Sequence, residues 1–302
     1  MKIIGPVAVN DTELYHSNVP EDDYPAWMLA TEYDLDDRVL VIDADIHRVY
    51  QSLQNGNVGH PPLADVDGEW WVLVGNDNRW KMFDGYVSSQ TVMPEQLSVV
   101  LEIAPIIDSV CLLNIDAQSA VVTVTAPVDG LVYEREIDLV SDSGVDDYFE
   151  YWFSPVERIT DIALTDIPLY SEVVITVDLY NELGDVKCGA LFVGQSRDIG
   201  STQYGFELGR TDYSAVTTND FGDTFITKRG NARNVNLPVK VSNTFLASVD
   251  RLLSEYLSIP AVYVGSDAYG EVTTLLAIYQ DYSLLVEYQL ESVLSIRLKG
   301  LI

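Results

Sequence analysis

Apolar and polar positions alternate with a period of two along much of the chain. Val, Ile, Tyr and Thr gather in short runs, and Gly, Pro, Asn or Asp breaks them at intervals of about 8–12 residues. Ala120-Val121-Val122-Thr123-Val124-Thr125, Val173-Val174-Ile175-Thr176-Val177 and Leu294-Ser295-Ile296-Arg297-Leu298 are typical. Such runs predict strands. One segment has a different period. Leu246, Val249, Leu252, Leu253, Tyr256 and Leu257 recur near 3.6 residues, predicting a helix that Asn243 caps and Pro260 ends. The expected fold class is mainly β: a small three-stranded aromatic module, a jelly-roll-like β-sandwich, then an α+β sheet domain with one helix.

Three parts are expected. Residues 1–82 hold four of the five tryptophans, Trp27, Trp70, Trp71 and Trp80. Residues 83–195 read as the sandwich. Its strands are expected from Ser109 to Asn114, Ala120 to Thr125, Leu131 to Leu139, Tyr148 to Phe153, Asp161 to Leu164 and Val173 to Leu179. Residues 196–302 carry extended runs around the helix: Phe225 to Lys228, Val235 to Val241, Ala261 to Val264, Thr273 to Tyr279, Ser283 to Tyr288 and Leu294 to Leu298.

Charge narrows the partners. The 302 residues include 47 acidic and 17 basic side chains, a net −30. Phosphate binding needs clustered Lys and Arg, so nucleic acid is not an expected partner, and an anionic membrane surface is disfavoured. An apolar content of 47% sets the chain apart from disordered acidic tails. The excess is uneven. Residues 83–195 contain 20 acidic and 3 basic side chains, whereas residues 196–302 contain 12 and 9. The last part is therefore expected to pack against copies of itself, with the acidic parts projecting. Cys111 and Cys188 allow at most one disulfide. No run approaches the roughly 18 apolar residues that span a bilayer, so no membrane insertion is expected. The Met1-Lys2-Ile3-Ile4-Gly5-Pro6 start lacks a signal-peptide core, which implies assembly in a cytoplasm.

The densest chemistry lies between Tyr24 and Gly75: Ala26-Trp27, Tyr33, Asp36-Asp37-Arg38-Val39, His47 through Ser52, Asn57-Val58-Gly59-His60-Pro61-Pro62, and Trp70-Trp71-Val72-Leu73-Val74-Gly75. In order and spacing this resembles the small chitin- and cellulose-binding module (family 5/12 type) attached to bacterial chitinases. The resemblance implies carbohydrate binding by Trp27, Tyr33, Tyr50, Trp70 and Trp71, because a sugar's axial C–H face stacks on an exposed aromatic ring. In so small a module several of these rings also have to supply the core. Adjacent Trp70 and Trp71 point to opposite faces of a strand, so one is expected inside and the other outside. Leu35-Asp36-Asp37 and Asp43-Ala44-Asp45 stand where the family carries Gly-Asp and Gly turns. A module that serves only as a contact domain is the reading these departures keep open.

A second resemblance extends from about residue 20 onward. Asn78-Arg79-Trp80-Lys81-Met82-Phe83-Asp84 with Ser89-Gln90-Thr91, Cys188-Gly189-Ala190 with Gly194 and Ile199-Gly200-Ser201-Thr202-Gln203-Tyr204-Gly205, Asp212-Tyr213-Ser214, Asp220-Phe221-Gly222 and Leu298-Lys299-Gly300-Leu301 are similar to a family of tailed-bacteriophage tail proteins. That resemblance implies a virion tail component at a tip, baseplate or sheath-like ring. Its partners would be copies of itself, other tail proteins and host surface glycan. The alternatives are a free carbohydrate-binding protein and an accessory to a glycan-degrading tail enzyme.

No Gly-x-Ser-x-Gly, His-Glu-x-x-His or phosphate-cradling loop occurs, and no catalytic role or cofactor is expected. His47 and His60 lack a third ligand at a fixed spacing. Glu21-Asp22-Asp23, Asp34-Leu35-Asp36-Asp37 and Asp43-Ala44-Asp45 do not follow a calcium-loop pattern and read as solvated surface.

Overall fold

The computed structural model describes residues 1–141, 147–153, 157–266, 269–286 and 288–301. Strands β1 (Lys2–Pro6) and β2 (Leu14–Ser17) come first. A separate three-stranded sheet follows, ordered β3 (Arg38–Asp43), β4 (Ile46–Ser52), β5 (Trp71–Asn76). A 3-10 segment over Asn78–Phe83 leads into β6 (Thr91–Ile103), β7 (Ser109–Asp116), β8 (Ser119–Ala126) and β9 (Gly130–Asp138). Next come a short helix α1 (Tyr148–Phe153), β10 (Ile162–Leu164) and the 26-residue β11 (Val173–Asp198). Then follow β12 (Ser201–Thr202), β13 (Glu207–Asp212), a hairpin of β14 (Ala215–Thr218) and β15 (Thr224–Thr227), and β16 (Asn231–Ser242). The chain ends with α2 (Leu246–Glu255), β17 (Ala261–Val264), α3 (Gly270–Thr273), β18 (Thr274–Leu285) and β19 (Glu291–Gly300). The fold is mainly β, as its periodicity predicts, and its large sheet is antiparallel.

Strand β11 organises the body. Its first half, Val173–Tyr180, pairs with both β6 and β8. Its second half pairs with β7 from Lys187 to Gly194, and with β1 from Gly194 to Asp198. A register shift between Tyr180 and Asp185 lets one strand serve two sheet regions. Alternate residues Val173, Ile175, Val177 and Leu179 point inward against Leu97, Val99, Leu101 and Ile103 of β6 and Val122 and Val124 of β8. A second core gathers Leu237, Val249, Leu253, Tyr263 and Ile296 beneath α2. A third, formed by Ile4, Cys111, Leu113, Ala190, Phe192, Val262, Val264 and Leu276, fuses the two. Close approach demands glycine here: a Cβ on Gly194 would collide with the Gly5 carbonyl oxygen, and one on Gly5 with the Tyr256 hydroxyl.

Several sequence expectations need correction. Residues 2–6 lie outside the aromatic module: β1 is sandwiched between β11 and β17, while β2 pairs with β6. The expected boundary at 195/196 falls inside β11, which continues to Asp198. Tyr148–Phe153 is a short helix, not a strand. Thr273 to Tyr279 and Ser283 to Tyr288 are mostly one strand, β18, with a register shift at Tyr279/Asp281. The helix starts and ends close to where the periodicity puts it, but Asn243 does not cap it. The Asn243 side chain instead donates to the Tyr288 carbonyl (2.9 Å) and accepts from Ser292 Oγ (2.5 Å), tying the helix entrance to the β18–β19 connection and the start of β19. Leu257 is exposed beyond the helix end.

Candidate functional site

The aromatic module is built on β3, β4 and β5. Its core is Tyr33, Val39, Val41, Tyr50 and Trp71. Tyr33, Tyr50 and Trp71 are only 7%, 9% and 3% exposed, so their ring faces are committed to packing. Tyr33 meets Trp71 edge-on at 5.3 Å, and its hydroxyl accepts the Met28 N–H at 2.8 Å. Trp71 Nε1 donates to the His60 carbonyl at 2.8 Å. Trp27 and Trp70 are half-buried and pack against this cluster from outside. Of the five residues predicted to stack on sugar, three are structural and two keep accessible surface. Trp71 is inside and Trp70 less buried, but Trp70 lies in the bend before β5 begins, so the strand pleat does not set the split.

His60 and Asp65 complete the site, and Asp65 is the residue that sequence reasoning missed. His60 stacks on Trp70. Asp65 accepts backbone N–H groups from Glu69, Trp70 and Trp71 at 3.2, 2.8 and 2.7 Å, fixing the start of β5. Burial works to raise its pKa, but the N–H donors from Trp70, Trp71 and Glu69, with the charge of His60, outweigh it and hold the carboxyl below its ordinary value. Only the spacing of five and six residues back from Trp70 and Trp71 hints at this role, and Asp in a turn is too common to single out. Asp36 and Ala44 adopt φ of 73° and 48° at the two turns where the resembled family carries glycine. The module therefore keeps both turns on residues that rarely adopt them.

A polar cluster joins the module to the body. His47 of β4 is buried, stacked on Trp80 with centroids 4.2 Å apart. Its Nδ1 binds the Glu21 carboxylate, and its Nε2 lies 2.8 Å from Asp11 Oδ1, near enough for an ion pair but off the line of a hydrogen bond. Glu21 also takes Arg79 Nη1 at 3.2 Å, and Arg79 Nε donates to the Val19 carbonyl at 2.7 Å. Asp23 accepts the Asn78 N–H. The Glu21-Asp22-Asp23 run is therefore not simply a solvated face: Glu21 and Asp23 are structural. Asp77 is buried beside them, and it accepts the Arg79 N–H at the start of the 3-10 segment. Burial, opposed by that N–H and assisted by the charges of Asp23 and Glu21, pushes its carboxyl up to about 6.

Cys111 and Cys188 are free and buried, and burial pushes both thiols up to about 12, leaving them inert. Among the described residues no three His, Cys, Asp or Glu side chains converge as metal ligands. None of the described helices is long and apolar enough to cross a membrane. Tyr148 and Trp152 meet edge-on on the exposed α1, while the Tyr151 side chain lies outside the described residues. No protein-family model and no curated protein matches this chain.

Proposed function

We propose that this chain is a non-enzymatic structural protein of a bacteriophage tail, a tip, baseplate or sheath-like ring component, with the aromatic module held outward for contact with host glycan. The observation that carries this reading is the division of the molecule into one stitched body and two appendages. Strands β11 and β1 join the sandwich to the C-terminal sheet, and among the described residues only the β3–β4–β5 module and the β14–β15 hairpin stand as separate sheets. Charge supports the same division of labour. Residues 196–302, with 12 acidic against 9 basic side chains, can approach identical copies with little repulsion, whereas residues 83–195, with 20 against 3, cannot. The tail-family resemblance supplies the setting.

Glycan contact rests on Trp70 and Trp27, the two of the five predicted rings that keep accessible surface. That same accessibility favours the second reading, a free carbohydrate-binding protein. Mass spectrometry and antibody labelling of tailed particles made from the genome that encodes this chain separate the two. The chain is expected in stoichiometric amount at one tail position. Its absence from purified particles refutes the tail assignment.

A further inference from the structure

The β14–β15 hairpin makes no ladder with any other described strand. An isolated two-stranded hairpin is marginal in water, and this one displays Val216, Phe225 and Ile226. Its tip is nevertheless well fixed. Asn219 Oδ1 accepts the N–H groups of Phe221 and Asp223 at 3.0 and 2.8 Å, and the Asn219 N–H donates to the Asp223 carbonyl at 3.0 Å. Phe221 is left 91% exposed between Asp220 and Asp223. A rigid aromatic knob flanked by two carboxylates calls for an apolar hole with a basic rim.

The same domain contains such a hole. A groove of about 900 Å³ opens between α2 and the ends of β11, β12 and β16. Exposed Phe245 and partly exposed Leu252 and Tyr256 supply its apolar wall, and Arg197 and Arg251 its rim. The other charges in it are largely committed: Lys240 pairs with Glu291 at 2.5 Å, and Asp198 accepts the Gly200 N–H. Glu255 also lines the wall, yet neither arginine forms an ion pair with a carboxylate of the described residues. In a chain of net charge −30, two uncommitted guanidinium groups beside an open aromatic wall are suited to an acidic, aromatic visitor.

The knob and the hole lie at opposite ends of one strand. The hairpin returns to the body at Asn231, the first residue of β16, and the groove takes Lys240 through Ser242 at its far end. At about 3.4 Å per residue the base of the hairpin and the groove are roughly 35 Å apart along β16. A hairpin with four-residue strands cannot reach its own groove across that distance, so any such hairpin seated there belongs to another copy.

We propose that the Phe221 hairpin of one copy seats in the α2 groove of the next, with the ring against Phe245 and Leu252 and with Asp220 and Asp223 facing Arg197 and Arg251. This deepens the tail-ring reading, on which it rests, by naming the joint. Sedimentation velocity on the full chain and on two variants tests it. Wild type is expected to assemble, while Phe221→Ala and the double variant Arg197→Glu/Arg251→Glu each need at least about tenfold more protein to do so, with circular dichroism unchanged. Asp220→Arg/Asp223→Arg mixed with the groove double variant is expected to restore contact between unlike copies. A mixture of Asp220→Cys and Arg251→Cys chains is expected to form a disulfide between copies, against a low background because Cys111 and Cys188 are buried. If assembly persists unchanged in both variants and no mixed disulfide forms, the joint is wrong and the ring reading stands. If wild type stays monomeric at every concentration and no mixed disulfide forms, both fall.

Discussion

His60 lies flat on Trp70, the ring centroids 3.8 Å apart and the planes 7° from parallel. One face of the indole is thus occupied from within the protein, so any sugar bound as proposed has to use the ring surface that His60 and the module core leave accessible. On the proposed reading, Trp70→Ala is expected to remove glycan retention while lowering the melting temperature less than Trp71→Ala does, because Trp70 is only half-buried. Trp71→Ala, by contrast, empties the module core and should cost about 3–5 kcal/mol of module stability. A glycan-binding titration alongside a thermal melt separates the two. Full binding by Trp70→Ala would exclude this ring.

Asp65 holds Trp70 and Trp71 by their backbones. Asp65→Asn removes the charge from three N–H contacts and is expected to cost about 1 kcal/mol or more. Because the folded carboxyl sits below its ordinary value of 3.8, its contribution is complete above that value and disappears as the pH falls through the folded pKa. Urea denaturation at pH 7 and below pH 3 should show the difference between variant and wild type shrinking in acid.

Asp77 predicts the opposite sign. Its folded pKa is raised from 3.8 to about 6, so the native state binds the proton more tightly and loses stability as the pH rises between those values. Asp77→Asn keeps an oxygen to accept the Arg79 N–H but carries no charge. It is expected to be more stable than wild type at pH 7.5 and to lose that advantage near pH 4, as followed by thermal melts across the range.

Tyr263 is fully buried, and its hydroxyl has no hydrogen-bond partner among the described residues. Burial, with the neighbouring Tyr279 and Tyr256, pushes its pKa up from 10.0. An unsatisfied buried hydroxyl costs about 1–3 kcal/mol, so Tyr263→Phe should be neutral or stabilising by denaturant titration. A clear loss of stability would reveal a partner for the hydroxyl.

Gly194→Ala places a methyl against the Gly5 carbonyl, at the seam where β1 meets β11. Forced backbone movement of this kind costs roughly 1–3 kcal/mol. Hydrogen exchange should show the loss concentrated in β1 and the Ile4 core, with the aromatic module unaffected.

Local pattern made the half-buried strands legible. Thr123 and Thr125 alternate with Val122, Val124 and Ala126 along β8, and β19 repeats the device with Leu294, Ile296 and Leu298. The pattern disappears where a strand is covered on both sides. Cys188 through Val193 is buried without a break because two cores press on it, so the second half of β11 carries no period of two. Pro94 and Glu95, the latter at φ 61°, interrupt β6 and hide it. The aromatic run from Tyr148 to Phe153 has the composition of a strand but forms a short helix. In the module, composition identified the aromatic set but not the division into core and surface, which depends on His60 and Asp65. The stack of His47 on Trp80 joins residues 33 positions apart and leaves no local trace.

Strand β1 gains its neighbours late. Lys2 is opposite Asp198 on one side and Val264 on the other, so during synthesis the strand waits some 190 residues for its first partner, β11, and some 260 for its second, β17. Contacts this distant along the chain slow folding, and an unpaired apolar segment such as Ile3-Ile4 is exposed to aggregation throughout that interval. A strand placed between β11 and β17 is completed on both edges only when residues far along the chain have been made, so it depends on long-range closure more than any hairpin of the fold does.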